Sequence, residues 1–450
     1  MIKIRDSIRQ GGVLSTNLYG SLMDQISKEI RNNDLGIPLY ENGVKKACLL
    51  WVDDVLLIAL EGELQPQLDI TAEVSNTYHV EFGEPKSNSM NIQNKNKKTK
   101  NKHEYEIDDI KLKQTEKYKY LGYMQNSKNN NEDQIKIIKG RVEAAYQNMM
   151  TLAENSTFNK IEMETIWTII QACILPIITY SGEAWKKTKK NYDEANKILD
   201  KILKRILKVP RTGTPREALY IETGTFDPET IIKRNRINME ARIRNGTNET
   251  MKLILEAKHK QSWIQQNKEI KEEMNIEDGE MEGNLYQIKE MNKTKMREEF
   301  KTRINKTAQH KSKMQYYYEG IQNEWTPGKT ANYMRKLTRN EASIIFQART
   351  RMLKLKDNYK NGNTNLTCRI CEKEEETQKH ALEECEILNN NHKSITKQDI
   401  FKDNVKELRI TAKIIEQRMK NYYDSQQSYI PKKKNNQTNK QNQINTTLQI

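Results

Sequence analysis

The chain has 450 residues, enough for about two or three domains, and its 76 Lys and Arg against 61 Asp and Glu leave a formal charge of +15. That balance favours a polyanionic partner such as nucleic acid, although a coding bias toward Asn and Lys gives the same excess. No run approaches the roughly 18 uninterrupted apolar residues of a membrane-spanning helix, and Met1 is followed by Ile2-Lys3-Ile4-Arg5 rather than an apolar signal core, so a soluble intracellular protein is expected.

Leu14, Leu18, Leu22, Ile26 and Ile30 recur every four residues and predict a helix from about Ser15 to Arg31, capped by Ser15 or Thr16. A polar hairpin signal follows at Asn42-Gly43. The segments Ala47 to Val52 and Val55 to Leu60 are strand-like and apolar enough for burial on both faces, which predicts a tight hairpin with Asp53-Asp54 between the strands. Pro66 opens a predicted helix carrying Leu68, Ala72 and Val74, and the Asn/Lys/Thr stretch from Asn94 to Lys102 predicts a solvated loop.

Beyond Tyr120-Leu121-Gly122 the pattern turns helical. Ile135, Ile138, Val142, Ala145, Met149 and Leu152 form one stripe, and a second helix is expected to end before Pro176. Between Tyr192 and Val209, Ala195, Ile198, Leu199, Ile202, Leu203 and Ile206 take one helix side, and Lys197, Lys201, Lys204 and Lys208 the other. That basic side is either a phosphate-contacting face or an ordinary solvated one. From Pro431 to Ile450 the composition predicts a disordered tail.

Two adjacent aspartates at a hairpin tip repel each other unless a cation or solvent screens them. In nucleotidyl transfer, carboxylates hold two divalent ions about 3.5 to 4 Å apart, but aspartate is also a favoured turn residue, so the pair alone fits an ordinary turn. Its neighbours add information. Arg9-Gln10-Gly11-Gly12-Val13-Leu14-Ser15-Thr16, Trp51-Val52-Asp53-Asp54, Pro85-Lys86-Ser87 and Tyr120-Leu121-Gly122 occur in that order, followed by Ile174-Leu175-Pro176, Tyr180-Ser181-Gly182-Glu183-Ala184-Trp185 and Thr214-Pro215-Arg216-Glu217-Ala218-Leu219-Tyr220. The series resembles the reverse transcriptases of LINE-type (non-LTR) retrotransposons, from the later palm motifs into the thumb.

The resemblance implies that Arg9, Gln10, Gly11 and Trp51 line a nucleotide and template pocket. It implies that Asp53 and Asp54 are catalytic and ligate Mg²⁺ (or Mn²⁺), with Lys86 assisting the leaving pyrophosphate. Tyr120, Leu121 and Gly122 would lie in a primer grip, and Lys197, Lys201, Lys204 and Lys208 on a thumb helix facing the nucleic-acid backbone. Trp51 stands where Tyr or Phe is usual, and Val13 and Thr16 replace two prolines. The family's first catalytic aspartate lies upstream of the Arg-Gln-Gly motif, and only eight residues precede Arg9, so no activity is expected of this chain by itself.

Cys368-x2-Cys371-x8-His380-x4-Cys385 supplies three thiolates and one imidazole, a full tetrahedral shell for structural Zn²⁺. The segment looks too polar to bury a core, so metal is expected to order it, and Arg349, Arg351, Lys354 and Lys356 just before it are candidate phosphate contacts. LINE-type proteins carry a similar cluster after the polymerase. The expected fold is α+β, mostly α: a partial palm over 1–125, helical thumb and following region over 126–240, helical connector over 241–365, CCHC zinc module over 366–390, helical segment over 391–430 and disordered tail over 431–450. The implied partners are an RNA template and a DNA primer or target, with no membrane. The nucleus is the implied site of action and the cytoplasm the alternative. A non-catalytic nucleic-acid-binding remnant with a zinc module is the competing function.

Overall fold

The computed structural model describes residues 15–38, 45–60, 62–92, 104–154, 163–256, 262–322, 324–359 and 365–427. The Arg9-Gln10-Gly11 segment, the Asn42-Gly43 turn, the 94–102 loop and the 431–450 tail lie outside them. The protein is mostly helical with a few small sheets. It divides into two compact units that alternate along the chain: Met1–Thr151, Ile169–Leu199 and Phe226–Arg303 form one, and Leu152–Thr168, Asp200–Thr225 and Ile304–Ile450 the other.

In the first unit the helix Ser15–Asn32 runs close to its expected span and buries Met23, Ile26 and Ile30 against Ala47, Cys48, Leu50, Val55 and Leu57. The strands Cys48–Trp51 and Asp54–Leu57 pair antiparallel, with Trp51 opposite Asp54, so the two turn residues are Val52 and Asp53 and Asp54 already belongs to a strand. The expectation of burial on both faces fails: Leu49 is 39 % exposed and Trp51 62 %. Among the described residues, helices pack on one side of this two-stranded ribbon, and alternate side chains face the other way. Pro66 lies in the first turn of the helix Leu64–Thr77, whose Leu68 and Ala72 pack on Ile107 from the hairpin Tyr105–Ile107 and Ile110–Gln114.

The strands Lys117–Tyr120 and Tyr123–Asn126 follow, joined by Leu121 (φ 45°) and Gly122 (φ 80°). Two successive positive φ angles are the pattern of a tight primed hairpin turn, which needs glycine at one position. The helix Glu132–Glu154 buries Ile135, Ile138, Val142 and Met149 as expected, with Tyr146 rather than Ala145 completing the stripe.

The next helix does not stop before Pro176. Met163–Ile169 passes through a π turn at Ile170–Ile174 into Leu175–Thr179, because the widened turn accommodates a residue that has no N–H and crowds the preceding carbonyls. Met163–Ala184 is long and apolar enough to cross a membrane. Its Met163, Ile166, Trp167, Ile170, Ile174 and Ile178 are buried, although only 33 % of its most apolar window is.

In the second unit, Arg216–Thr223, Arg339–Arg349 and Val405–Gln427 surround buried charge as well as apolar side chains. Arg349 donates to Glu222 Oε1 (3.2 Å) and to the carbonyls of Ile400 (3.0 Å) and Lys402 (3.1 Å), and stacks 4.4 Å from the Tyr333 ring centroid. It is therefore a core residue, and the expected phosphate contact is withdrawn.

A Cβ at Gly122 would sit 2.8 Å from the Tyr180 hydroxyl, whereas one at Gly62 (φ 91°) would meet nothing within 4 Å. Gly122→Ala should cost about 1–3 kcal/mol, more than Gly62→Ala, which carries the backbone penalty alone. Comparing the denaturation midpoints of the two variants checks this.

Candidate functional site

Asp53, in the turn, and Asp54, opening the second strand, are both exposed. The turn itself is unusual: Val52 has φ 54°, a left-handed conformation that a β-branched residue adopts only at a cost of order 1–3 kcal/mol. Three tyrosines surround the carboxylates electrostatically. Burial, then the charge of Asp53, raises the Tyr19 phenol; burial, then Asp54, raises both Tyr118 and Tyr120. Tyr118 donates from its hydroxyl to the Lys86 carbonyl at 2.8 Å, and Tyr180 donates to the Leu121 carbonyl at 2.6 Å.

The first unit thus brings Asp54, the Glu84–Lys86 turn and Tyr120-Leu121-Gly122 near Tyr118, which sequence reasoning had not singled out, and ties Leu121 to Tyr180 of the Tyr180–Trp185 motif. Tyr118 had a signal in the Lys-Tyr-Lys-Tyr alternation, exposed lysine against half-buried tyrosine. Tyr180 was named in the Tyr180–Trp185 motif, but its bond to Leu121 had no signal, since that partner lies 59 residues away. Exposed carboxylate oxygens are donors of the kind that Mg²⁺ or Mn²⁺ takes. Trp51 is exposed on the same hairpin, and Arg9, Gln10 and Gly11 lie outside the described residues.

The helix Lys189–Ile206 is amphipathic as expected, with Ala195, Ile198, Leu199, Ile202, Leu203 and Ile206 buried. Its lysines are not a uniform free face. Lys197 pairs with Glu194 (2.9 Å), whose carboxyl is held down to about 2 by hydrogen bonds from Lys139 and Lys197. Lys204 donates to the Arg211 carbonyl (2.8 Å), and burial lowers its pKa. Lys208 falls beyond the helix at φ 53° and bonds the Asn340 side chain. Lys201 is exposed. Nearby internal acceptors, which periodicity does not reveal, cause the difference. Lys356 likewise donates to the Thr367 carbonyl (2.7 Å), and Arg351 lies 4.3 Å over the Tyr316 ring.

In the second unit the ligand atoms of Cys368, Cys371, His380 and Cys385 all lie within 4.8 Å of one another. A tetrahedron with metal–sulfur bonds of about 2.3 Å has edges of about 3.8 Å, so a small contraction would close the shell. Each arm has a local cause. Cys368 and Cys371 share one turn, in which the Ile370 amide points at Cys368 Sγ (3.4 Å) and the Glu372 amide bonds the Cys368 carbonyl (3.0 Å). An isolated antiparallel bridge pairs Thr367 with Glu375.

His380 and Cys385 are five residues apart, a spacing that an α-helix would point about 140° apart. Here His380–Glu384 is a π turn, closed by the Cys385 amide on the His380 carbonyl (2.8 Å), and both side chains reach the cluster. His380 Nε2 is 3.3 Å from Cys371 Sγ, while Nδ1 is buried without a hydrogen-bond partner among the described residues.

The cluster is not a polar bead ordered by metal alone. Ala381, Leu382 and Leu388 are fully buried, and the π turn packs on the helix Val405–Gln427. Glu376, also buried, is gripped by the Arg369 guanidinium (Nε 2.7 Å) and accepts from the Lys356 amide (2.8 Å). Polar composition hid these few well-placed apolar residues.

No protein-family model matches the chain, and no characterised protein sequence matches it either.

Burial raises the Cys385 thiol to about 11, reinforced by the charges of Cys368 and Cys371, whereas backbone amides of Lys373 and Glu374 overcome burial to lower Cys371. At neutral pH a metal must therefore displace the Cys385 proton. Uptake should release protons and tighten as pH rises toward 11, weakening below neutrality. Calorimetric titration in buffers of different ionisation enthalpy measures the release; a heat independent of buffer would contradict it.

Proposed function

We propose that this chain is the later palm, thumb and zinc-bearing C-terminal part of a LINE-type RNA-directed DNA polymerase, acting on an RNA template and a DNA primer or target. The observation that carries the reading is the convergence, in one compact unit, of Asp53-Asp54, Lys86 and Tyr120-Leu121-Gly122. These segments are spread over the sequence, yet the Tyr118 hydroxyl bonds the Lys86 carbonyl and the charge of Asp54 acts on both Tyr118 and Tyr120, while Tyr180 fixes Leu121. In this reading Asp53 and Asp54 hold Mg²⁺ at one half of a two-metal centre, which polarises the phosphate and stabilises the leaving oxygen. Tyr120, Leu121 and Gly122 support the primer end, and Trp51 lies beside the nucleotide.

Two-metal transfer also needs a carboxylate from the earlier palm motif, which in the family lies before the Arg9-Gln10-Gly11 segment. The chain is expected to bind a primer–template and to extend it only when an aspartate-bearing upstream palm segment of the family is joined to it. Primer extension by that fusion with Mg²⁺, abolished by Asp53→Asn, supports the reading. Strong extension that persists in both Asp53→Asn and Asp54→Asn overturns it.

A non-catalytic nucleic-acid-binding role is the second reading, favoured by the assembled Cys368/Cys371/His380/Cys385 cluster, whose four protein ligands leave a Zn²⁺ ion no open position for chemistry. Both readings require phosphate contacts that weaken with salt. Replacing Lys197, Lys201, Lys204 and Lys208 with Gln should lower the slope of log affinity against log salt by about 0.7–0.9 for each lysine that meets a phosphate. Since Lys197, Lys204 and Lys208 have internal partners, a total change smaller than that of four free lysines is expected. An unchanged slope would make the helix a solvated face.

A further inference from the structure

We propose that Tyr422 is a positioning residue of the metal centre, donating a hydrogen bond to the Cys368 thiolate from outside the coordination shell and making the helix Val405–Gln427 part of the site. The proposal rests on reading the four-residue cluster as a zinc site and deepens it.

Tyr422 is fully buried, and its hydroxyl lies 3.3 Å from Cys368 Sγ. In the free thiol either atom can be the donor. A metal-bound cysteine is a thiolate and only accepts, so the phenol must then donate, joining the Ile370 amide on the same sulfur (3.4 Å). Two donors to one thiolate spread its charge and fix its direction, as outer partners of metal ligands generally do.

The ring is not free to turn away. It is packed in the core of the unit, and the Arg369 guanidinium lies 5.5 Å over its face, itself locked by Glu376. One turn earlier on the same helix, Arg418 donates to the carbonyls of Ala381 (3.1 Å), His392 (2.8 Å) and Lys393 (2.8 Å) and to the Asn389 side chain (2.8 Å). The helix therefore holds both arms of the cluster: the first cysteine through Tyr422, and the segment bearing His380 through Arg418. Linkage follows, since whatever fixes these arms favours the metal, and the metal in turn favours the docked helix.

The experiment uses the full chain. Zinc affinity is measured by competition with a chromogenic chelator, and Co²⁺ serves as the spectroscopic probe of the thiolates. Tyr422→Phe removes one oxygen and keeps the packing; Tyr317→Phe, a buried phenol beside Glu222 in the same unit, is the control. Wild type and Tyr317→Phe should bind one equivalent alike. Tyr422→Phe should bind about 10- to 100-fold more weakly and shift the thiolate-to-cobalt charge-transfer band while retaining a four-coordinate spectrum. An affinity within about twofold of wild type, or a weaker affinity with an unmoved band, overturns the role of Tyr422 while leaving the metal site standing. Failure of the wild type to take up metal overturns the metal site and the proposal together.

Discussion

Buried guanidinium groups hold irregular backbone where apolar side chains cannot. Only 35 % of the residues are hydrophobic, so loop carbonyls that end up inside must find donors, and an unpaired one costs as much as a lost hydrogen bond or more. Arginine offers five donors in a planar fork. Arg418 satisfies three carbonyls around the metal cluster, Arg349 two carbonyls and Glu222, and Arg236 the carbonyls of Trp185 and Trp263 with Asn267. Removing one partner of the buried Arg349–Glu222 pair should cost about 3–5 kcal/mol, because the other is left uncompensated. These contacts join segments far apart in sequence, which is how a chain rich in Asn and Lys still packs two compact units.

That constraint also explains what sequence could and could not reveal. Elements defined by period were legible: the Ser15–Asn32 and Leu64–Thr77 helices, the Asp-Asp hairpin and the apolar side of Lys189–Ile206 all follow spacing alone. The fate of charged residues was not. Arg349 looked like a surface phosphate ligand and is a core residue, because its partner Glu222 lies 127 residues away. Lys204 and Lys208 looked like one basic face with Lys197 and bend to internal acceptors instead. Pro176 looked like a terminator, and the π turn before it lets the helix continue.

The metal cluster was legible as four residues and not as a place. Its spacing named the ligands, since three cysteines and a histidine within so short a span have few other uses. The conformation that makes the spacing work, a π turn aligning His380 with Cys385, is a local backbone choice that periodicity does not encode. Nor did composition disclose that Ala381, Leu382 and Leu388 anchor the segment to a helix beginning twenty residues after Cys385.

The two candidate sites differ in how much of their geometry the protein supplies. At the Cys/His cluster, donors already lie within 4.8 Å, three of them buried and Cys368 bonded by an amide, so an ion would complete an arrangement the fold has mostly prepared. At the hairpin, two adjacent carboxyl groups stand exposed beside a strained Val52, with Leu49 and Trp51 exposed on one strand face and three nearby phenols raised by burial and by the aspartates. Such a pair is not enclosed by the fold, and a cation held there, as the proposed polymerase reading requires, would need further ligands from a substrate or from additional protein. A structural ion binds tightly where the shell is complete, and a catalytic one is held loosely enough to exchange ligands during the reaction. The Cys/His cluster could therefore hold an ion suited to keeping its own fold together, whereas a metal at the hairpin belongs to the proposed polymerase reading.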